Sequence, residues 1–213
     1  MATSLPESST QHAIRIPEAE GRPTRGNRLL IAGLAAAVPV LWVPLTLLHP
    51  DSRDLAEKTE TWLGVHYAQL ALSPLLALGM LQVLRSLRGA SASVARVAVV
   101  LWLAFFSAFD AIAGIATGVL ARDGFEEAAR NLFDHGLVGG GSILGWLAQP
   151  MWIVVAFATG LALRANGAKA LSWAAMLVSA LFALHAGWPA ALGLLALSAA
   201  LWTTLSASRA PAG

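Results

Sequence analysis

The chain has no cysteine, one tyrosine and two lysines, and only 12% of its 213 residues are charged. Without thiols it has no disulfide framework, no thiolate ligand for zinc or iron–sulfur clusters and no cysteine nucleophile. Soluble domains carry about 25% charged residues, so water is not the main solvent for this surface. Lys and Arg number 14 against 12 Asp and Glu, a near balance that gives no basic footprint, and no nucleic-acid partner is expected. What is abundant is apolar: 57% of residues are hydrophobic and the mean hydropathy is +0.66.

A bilayer core takes about 20 helical residues to cross. Apolar runs of about that length predict six spans, at about 29–49, 63–84, 97–120, 142–163, 170–187 and 188–205. The expected class is therefore all-α, a polytopic membrane helical bundle occupying 29–207, with the lipid bilayer as its surroundings. Only Gly187-Trp188-Pro189 separates the last two spans, and proline suits a first helical turn, so they read as a tight hairpin. Residues 1–28 are polar and hold Pro6, Pro17 and Pro23; they read as a flexible tail, not a cleaved signal, and 208–213 as a second short tail. With the N-terminus inside, ten basic residues fall on the cytoplasmic side and four outside, the acids distributing oppositely. Both termini are thus expected in the cytoplasm. Twelve arginines against two lysines, with many alanines, suggest a GC-rich bacterial genome and hence an inner membrane.

Between the third and fourth spans, Phe125, Ala128, Ala129, Leu132 and Phe133 recur at helical spacing. This predicts an amphipathic helix on the outer face, with Asp123 as N-cap and Gly136 as stop. Gly139-Gly140-Gly141 reads as a hinge, which would let the helix act as a lid over an outward cavity.

Asp110 is the one acid inside a predicted span, about 15 Å deep at 1.5 Å per residue. Placing a carboxylate there costs about 2.5–3.5 kcal/mol, and such groups face the bundle interior or a wet cavity. Ser107, Asp110, Gly114, Thr117 and Gly118 share its face, and Gly114 and Gly118 form a small-xxx-small pair that admits a close neighbour helix. Asp110 then either fixes helix register through hydrogen bonds or serves as a proton donor or relay. His66, Gln69 and Ser73 line one face of the second span. Pro39, Pro44, Pro74 and Pro150, the last after Gln149, are expected to break their helices around a cavity.

His12 lies in the tail, whereas His49, His66, His135 and His185 all fall at the outer side. Three of them with Asp134 have the donor chemistry for zinc or copper, and His66 with His185 for axial ligation of haem. No H-x-x-x-H or H-E-x-x-H spacing joins them, so they read as interfacial histidines, and neither metal nor haem is expected. A glycine-flanked Ser142 opening the fourth span, with His185 on a later one, is similar to the rhomboid intramembrane proteases over a handful of residues. The deeper G-x-S-x serine, the A-H-x-x-G helix and the second-helix H-x-x-x-N of that family are absent here.

Eight tryptophans complete the pattern, with Trp62 and Trp188 at the interface and Trp42, Trp146 and Trp152 within the outer half of the spans. An acid among aromatic walls suits a membrane cyclase or isomerase acting on a lipid-like or isoprenoid small molecule, the rings stabilising a cation. In that reading Asp110 is the acid, Gln69 and Gln149 orient the substrate, and His66, Trp42, Trp146 and Trp152 line its site. Two alternatives are a small proton-coupled transporter, and a non-catalytic subunit or homo-oligomer whose small-residue face binds a partner helix.

Overall fold

A computed structural model describes residues 24–140 and 142–207, which form helices and, among the described residues, no strands. Of the tail expected over residues 1–28, the part up to 23, with His12, lies outside them, as does the tail from 208, whereas residues 25–28 belong to the first helix because Thr24 caps it there. Helix α1 (Arg25–Leu48) is capped by Thr24, whose hydroxyl accepts from the Asn27 amide at 3.3 Å. It is followed by α2 (Thr59–Leu84) and α3 (Ala90–Phe109). The chain then widens into a π-helical segment, Asp110–Ala116, and resumes as α4 (Thr117–Arg122) without leaving the helix axis. After α5 (Glu126–Phe133) come α6 (Ile143–Ala165), α7 (Ala170–Val178), a 3-10 segment Ser179–Leu184, and α8 (Gly187–Ser206).

Among the described residues, five helices are long and apolar enough to cross a membrane: Gly26–Leu48, Thr59–Leu84, Ala90–Arg122, Ile143–Ala165 and Gly187–Ser206. The expected fifth span, 170–187, is shorter. Its apolar helix stops at Leu184 because its second half is overwound and His185 turns back with φ 65°. Trp152 Nε1 donates to the Ser179 carbonyl at 2.8 Å and the Ser179 hydroxyl donates to the Met176 carbonyl at 2.6 Å, bonds that compete with the α-helical ladder. The loop between the third and fourth expected spans holds a helix, α5, whose N-cap is Phe125; Asp123 instead ends α4, beside Arg122 at 3.1 Å, and α5 stops before Gly136.

The four prolines do not break their helices. Each stays inside a continuous α-helix, and the Leu70 carbonyl that Pro74 deprives of its partner accepts from the Ser73 hydroxyl at 3.1 Å. The departures from α geometry fall instead at Asp110–Ala116 and Ser179–Leu184.

Packing is dominated by α1 against α8 and α3 against α6, with α2 joining α1 to α3. α1 and α8 pack antiparallel, with His49 beside His185, Ala36 beside Ser198 and Gly33 beside Trp202, so α1 starts and α8 ends at one end of the bundle. His49, at the end of α1, and His185, before α8, share the other. Beneath them the core is aromatic: Trp42, Trp102, Phe106, Trp152 and Phe182 stack or meet edge to face at centroid distances of 4.9–6.5 Å. Each pair adds about 0.5–1.5 kcal/mol beyond its buried area.

Candidate functional site

Two polar stripes meet where α2 packs on α3 and its π segment. His66, Gln69 and Ser73 recur at i, i+3 and i+7 on α2, facing Ser107, Asp110 and Gly114. The match is direct at both ends. Ser73 Oγ lies 3.5 Å from Ser107 Oγ, His66 Nε2 lies 3.9 Å from Asp110 Oδ1, and Trp62 Nε1 donates to the Gly114 carbonyl at 2.7 Å. Gly114 and Gly118 have no room to spare. A Cβ on either would collide with His66, or with Leu63 and Trp62, so α2 of the same chain covers the face expected to take a partner helix.

Asp110 is 0% exposed, and neither carboxylate oxygen has a hydrogen-bond partner among the described residues; both polar side-chain atoms of Gln69, also fully buried, are likewise unpartnered. Buried polar groups are nearly always satisfied, so two such side chains on facing stripes mark a place that stays polar for a reason other than packing. Asp110 also opens the π segment, whose wide turn is held by Thr117 Oγ1 donating to the Ile112 carbonyl at 3.2 Å. Short π segments inside α-helices concentrate at functional sites.

Three histidines converge above Asp110. The ring centroid of His49 lies 5.0 Å from those of both His66 and His185, and one ring nitrogen of each falls within 4.8 Å of the others. His66 Nδ1 lies 2.7 Å from the Trp62 carbonyl and His49 Nδ1 2.9 Å from the Pro50 carbonyl, which assigns the proton to Nδ1 and leaves Nε2 bare in both. His185 reaches the group from a strained turn. The Ala186 amide donates to the Leu184 carbonyl at 2.8 Å around φ 65°, ψ −41°, a γ-turn of the rare positive-φ kind.

The cluster opens into a cavity of about 280 Å³ bounded by His49, Asp51, Trp62, His66, Phe133, Gln149 and His185. Phe133 of α5 closes one side, its ring 5.8 Å from Trp62. Gly139 and Gly140 let the chain pass tightly over Phe133, whose carbonyl accepts from the Gly140 amide at 2.7 Å. They therefore clamp the end of α5, where the sequence suggested a loose hinge; Gly141 lies outside the described residues.

Of the site residues expected from sequence, His66 and Gln149 line this cavity, Asp110 lies behind His66 at 3.9 Å without lining it, and Gln69 sits one turn deeper on α2. Trp42 and Trp152 belong to the aromatic core, where Trp152 borders a pocket of about 20 Å³, enough for one water. Trp146 is 71% exposed on the outside of α6 and joins neither. His135 is exposed on the far side of α5, its ring accepting from the Leu137 amide at 3.3 Å, and Asp134 is exposed too. Ser142 does not pair with His185; its hydroxyl caps α6, accepting from the Gly145 amide at 3.4 Å. Sequence reasoning placed His49, His66, His135 and His185 on one face but did not single out the three that meet, because 136 positions separate His49 from His185 and no spacing motif links them. Their position at helix ends on one face was the available signal. No protein-family model, curated protein or solved structure matches this chain.

Proposed function

We propose that the chain is a membrane-embedded enzyme in which Asp110 moves a proton to or from a lipid-like substrate whose polar end enters the cavity between His49, Trp62 and Gln149. One observation carries the reading: a fully buried carboxylate with no hydrogen-bond partner among the described residues, held 3.9 Å from His66, whose ring lines an open cavity. A general acid or base needs its proton uncommitted and a route to the substrate, which here runs through the His66 ring, whereas a structural carboxylate would have its oxygens bonded. Gln149 at the cavity wall supplies an amide to orient the polar end. The pocket in the aromatic core is too small for a hydrocarbon chain, which favours proton transfer at a polar headgroup over cyclisation of a buried isoprenoid.

In this proposal the bundle crosses a bacterial inner membrane six times with both termini cytoplasmic and the cavity facing outward. The excess of basic residues at the opposite end supports that orientation. The short apolar helix Ala170–Leu184 serves as the fifth crossing; 3-10 winding adds rise, so it reaches about 25 Å. The seam of Gln69, Ser73 and Ser107 leading away from Asp110 favours a second reading, a small proton-coupled transporter in which Asp110 carries the proton.

Lipid extracts of cells producing the wild-type chain or Asp110→Asn test the choice, alongside proton flux in sealed vesicles. The enzyme reading expects a lipid species whose amount changes with the wild type and not with the variant. Unchanged lipids together with Asp110-dependent proton flux would overturn it in favour of transport.

A further inference from the structure

We propose that His49, His66 and His185 bind one divalent transition-metal ion, with zinc the best match to the ligand set, and leave a fourth position open beside Asp110. The inference stands on the imidazoles and does not require Asp110 to transfer protons.

Three observations converge. First, three imidazoles approach one point from the end of α1, from α2 and from the turn before α8, with ligand nitrogens within 4.8 Å of one another. Around a tetrahedral zinc with Zn–N of about 2.0–2.1 Å the nitrogens lie roughly 3.4 Å apart, so small ring rotations complete the site. Second, in His49 and His66 the Nδ1–H is committed to a backbone carbonyl, at 2.9 and 2.7 Å. That outer bond is the one that orients metal-bound histidines and fixes the coordinating tautomer. Third, His49 Nε2 is buried without a partner among the described residues, and so are both oxygens of Asp110. Packing bare imidazole nitrogens together out of water is unfavourable without something to bind them. A cation shared by the rings, with the carboxylate nearby, satisfies all of these atoms at once.

The ligand set is informative. Imidazole suits zinc, copper, iron and nickel, whereas magnesium and calcium demand oxygen donors. Three protein ligands with a free position is the composition of a catalytic rather than a structural zinc site. His66 Nε2 is 3.9 Å from Asp110 Oδ1, so a water at the fourth position lies within reach of that carboxylate.

The full chain, purified in detergent, stripped with chelator and titrated with cobalt(II) and zinc, tests the proposal. The expected results are one metal per chain, the intense visible absorption of tetrahedral cobalt, and X-ray absorption showing three imidazoles. His66→Gln and His185→Gln should each weaken binding more than about 100-fold, whereas Asp110→Asn, beside the metal, should cost no more than about 10–100-fold and keep the imidazole count. In the wild type, zinc should raise the unfolding temperature and magnesium should not, a readout that needs no variant. Substoichiometric metal, fewer than three imidazoles, or affinity unchanged in a well-folded His66→Gln would overturn the site. Such a failure leaves proton transfer by Asp110 standing, and an inert Asp110 with metal bound does the reverse.

Discussion

Replacing Gly114 by alanine probes the closest contact of the site. A Cβ there would lie 2.5 Å from His66 Cγ, 2.9 Å from Nε2 and nearer still to Cδ2. The ring cannot simply swing away. Its Nδ1 is held by the Trp62 carbonyl at 2.7 Å, its face lies on the Trp62 indole at a centroid distance of 4.5 Å, and the same indole donates to the Gly114 carbonyl. Overpacking a close contact costs about 1–3 kcal/mol. Losing one buried hydrogen bond as the ring moves adds about 1 kcal/mol. Alanine returns up to about 1 kcal/mol of helix propensity, so the net destabilisation should be about 1–3 kcal/mol. Gly64, on the same helix as His66, provides the control: a methyl added there meets nothing within 4 Å, and alanine should be neutral or stabilising. Reversible unfolding in mixed micelles, followed by tryptophan fluorescence, measures both. Adding His66→Ala to Gly114→Ala should recover part of the loss by removing the collision, a coupling that a double-mutant cycle reads directly. Equal stability of the Gly114 and Gly64 variants, or no coupling to His66, would refute the close packing of α2 on the π segment.

Arg96 Nη2 donates to the carbonyls of Leu84 and Leu87 at 2.6 Å each, tying off the end of α2. Arg96→Leu should lower unfolding stability by about 1.5–3 kcal/mol, the range for bonds to a charged donor. Asn166 joins the α2–α3 loop to the end of α6, accepting from the Arg88 amide at 3.2 Å and donating to its carbonyl at 3.1 Å. Asn166→Ala should speed proteolysis of that loop and cost about 1–2 kcal/mol in the same micelle assay. Ser142→Ala should cost about 1 kcal/mol as a lost N-cap and leave any activity in place, whereas abolished activity in a stable Ser142→Ala protein would contradict the capping role.

The facing polar stripes were legible in the sequence, because His66-Gln69-Ser73 and Ser107-Asp110-Gly114 follow helical spacing and spacing decides which face a side chain shares. Asp110 stood out for a related reason, since a lone acid in an apolar run must turn inward. The arrival of His185 was not legible. It depends on the chain after α7 tightening to 3-10 geometry over Ser179–Leu184, where the tertiary bond from Trp152 and the local one from the Ser179 hydroxyl to Met176 fall, and on a positive φ at a histidine. The π segment was hidden too, as Asp110–Ala116 is compositionally an ordinary apolar helix. Trp146 and Trp152 share the same helix and the same residue type, yet one faces out and the other into the core; their six-residue separation rotates the side chain away from the buried face.

The pairing of α1 with α8 has a consequence for synthesis. Ser198 Oγ donates to the Ala36 carbonyl at 2.8 Å, and the helix that covers the first one is the last of the described chain to be made. At about 5–20 residues per second, α1 waits roughly ten to thirty seconds for its neighbour. During that interval the imidazoles of His49 and His66 can meet each other but not His185. The three-histidine cluster is therefore the final joint among the described residues to close, and its completion marks a chain whose α8 has docked on α1.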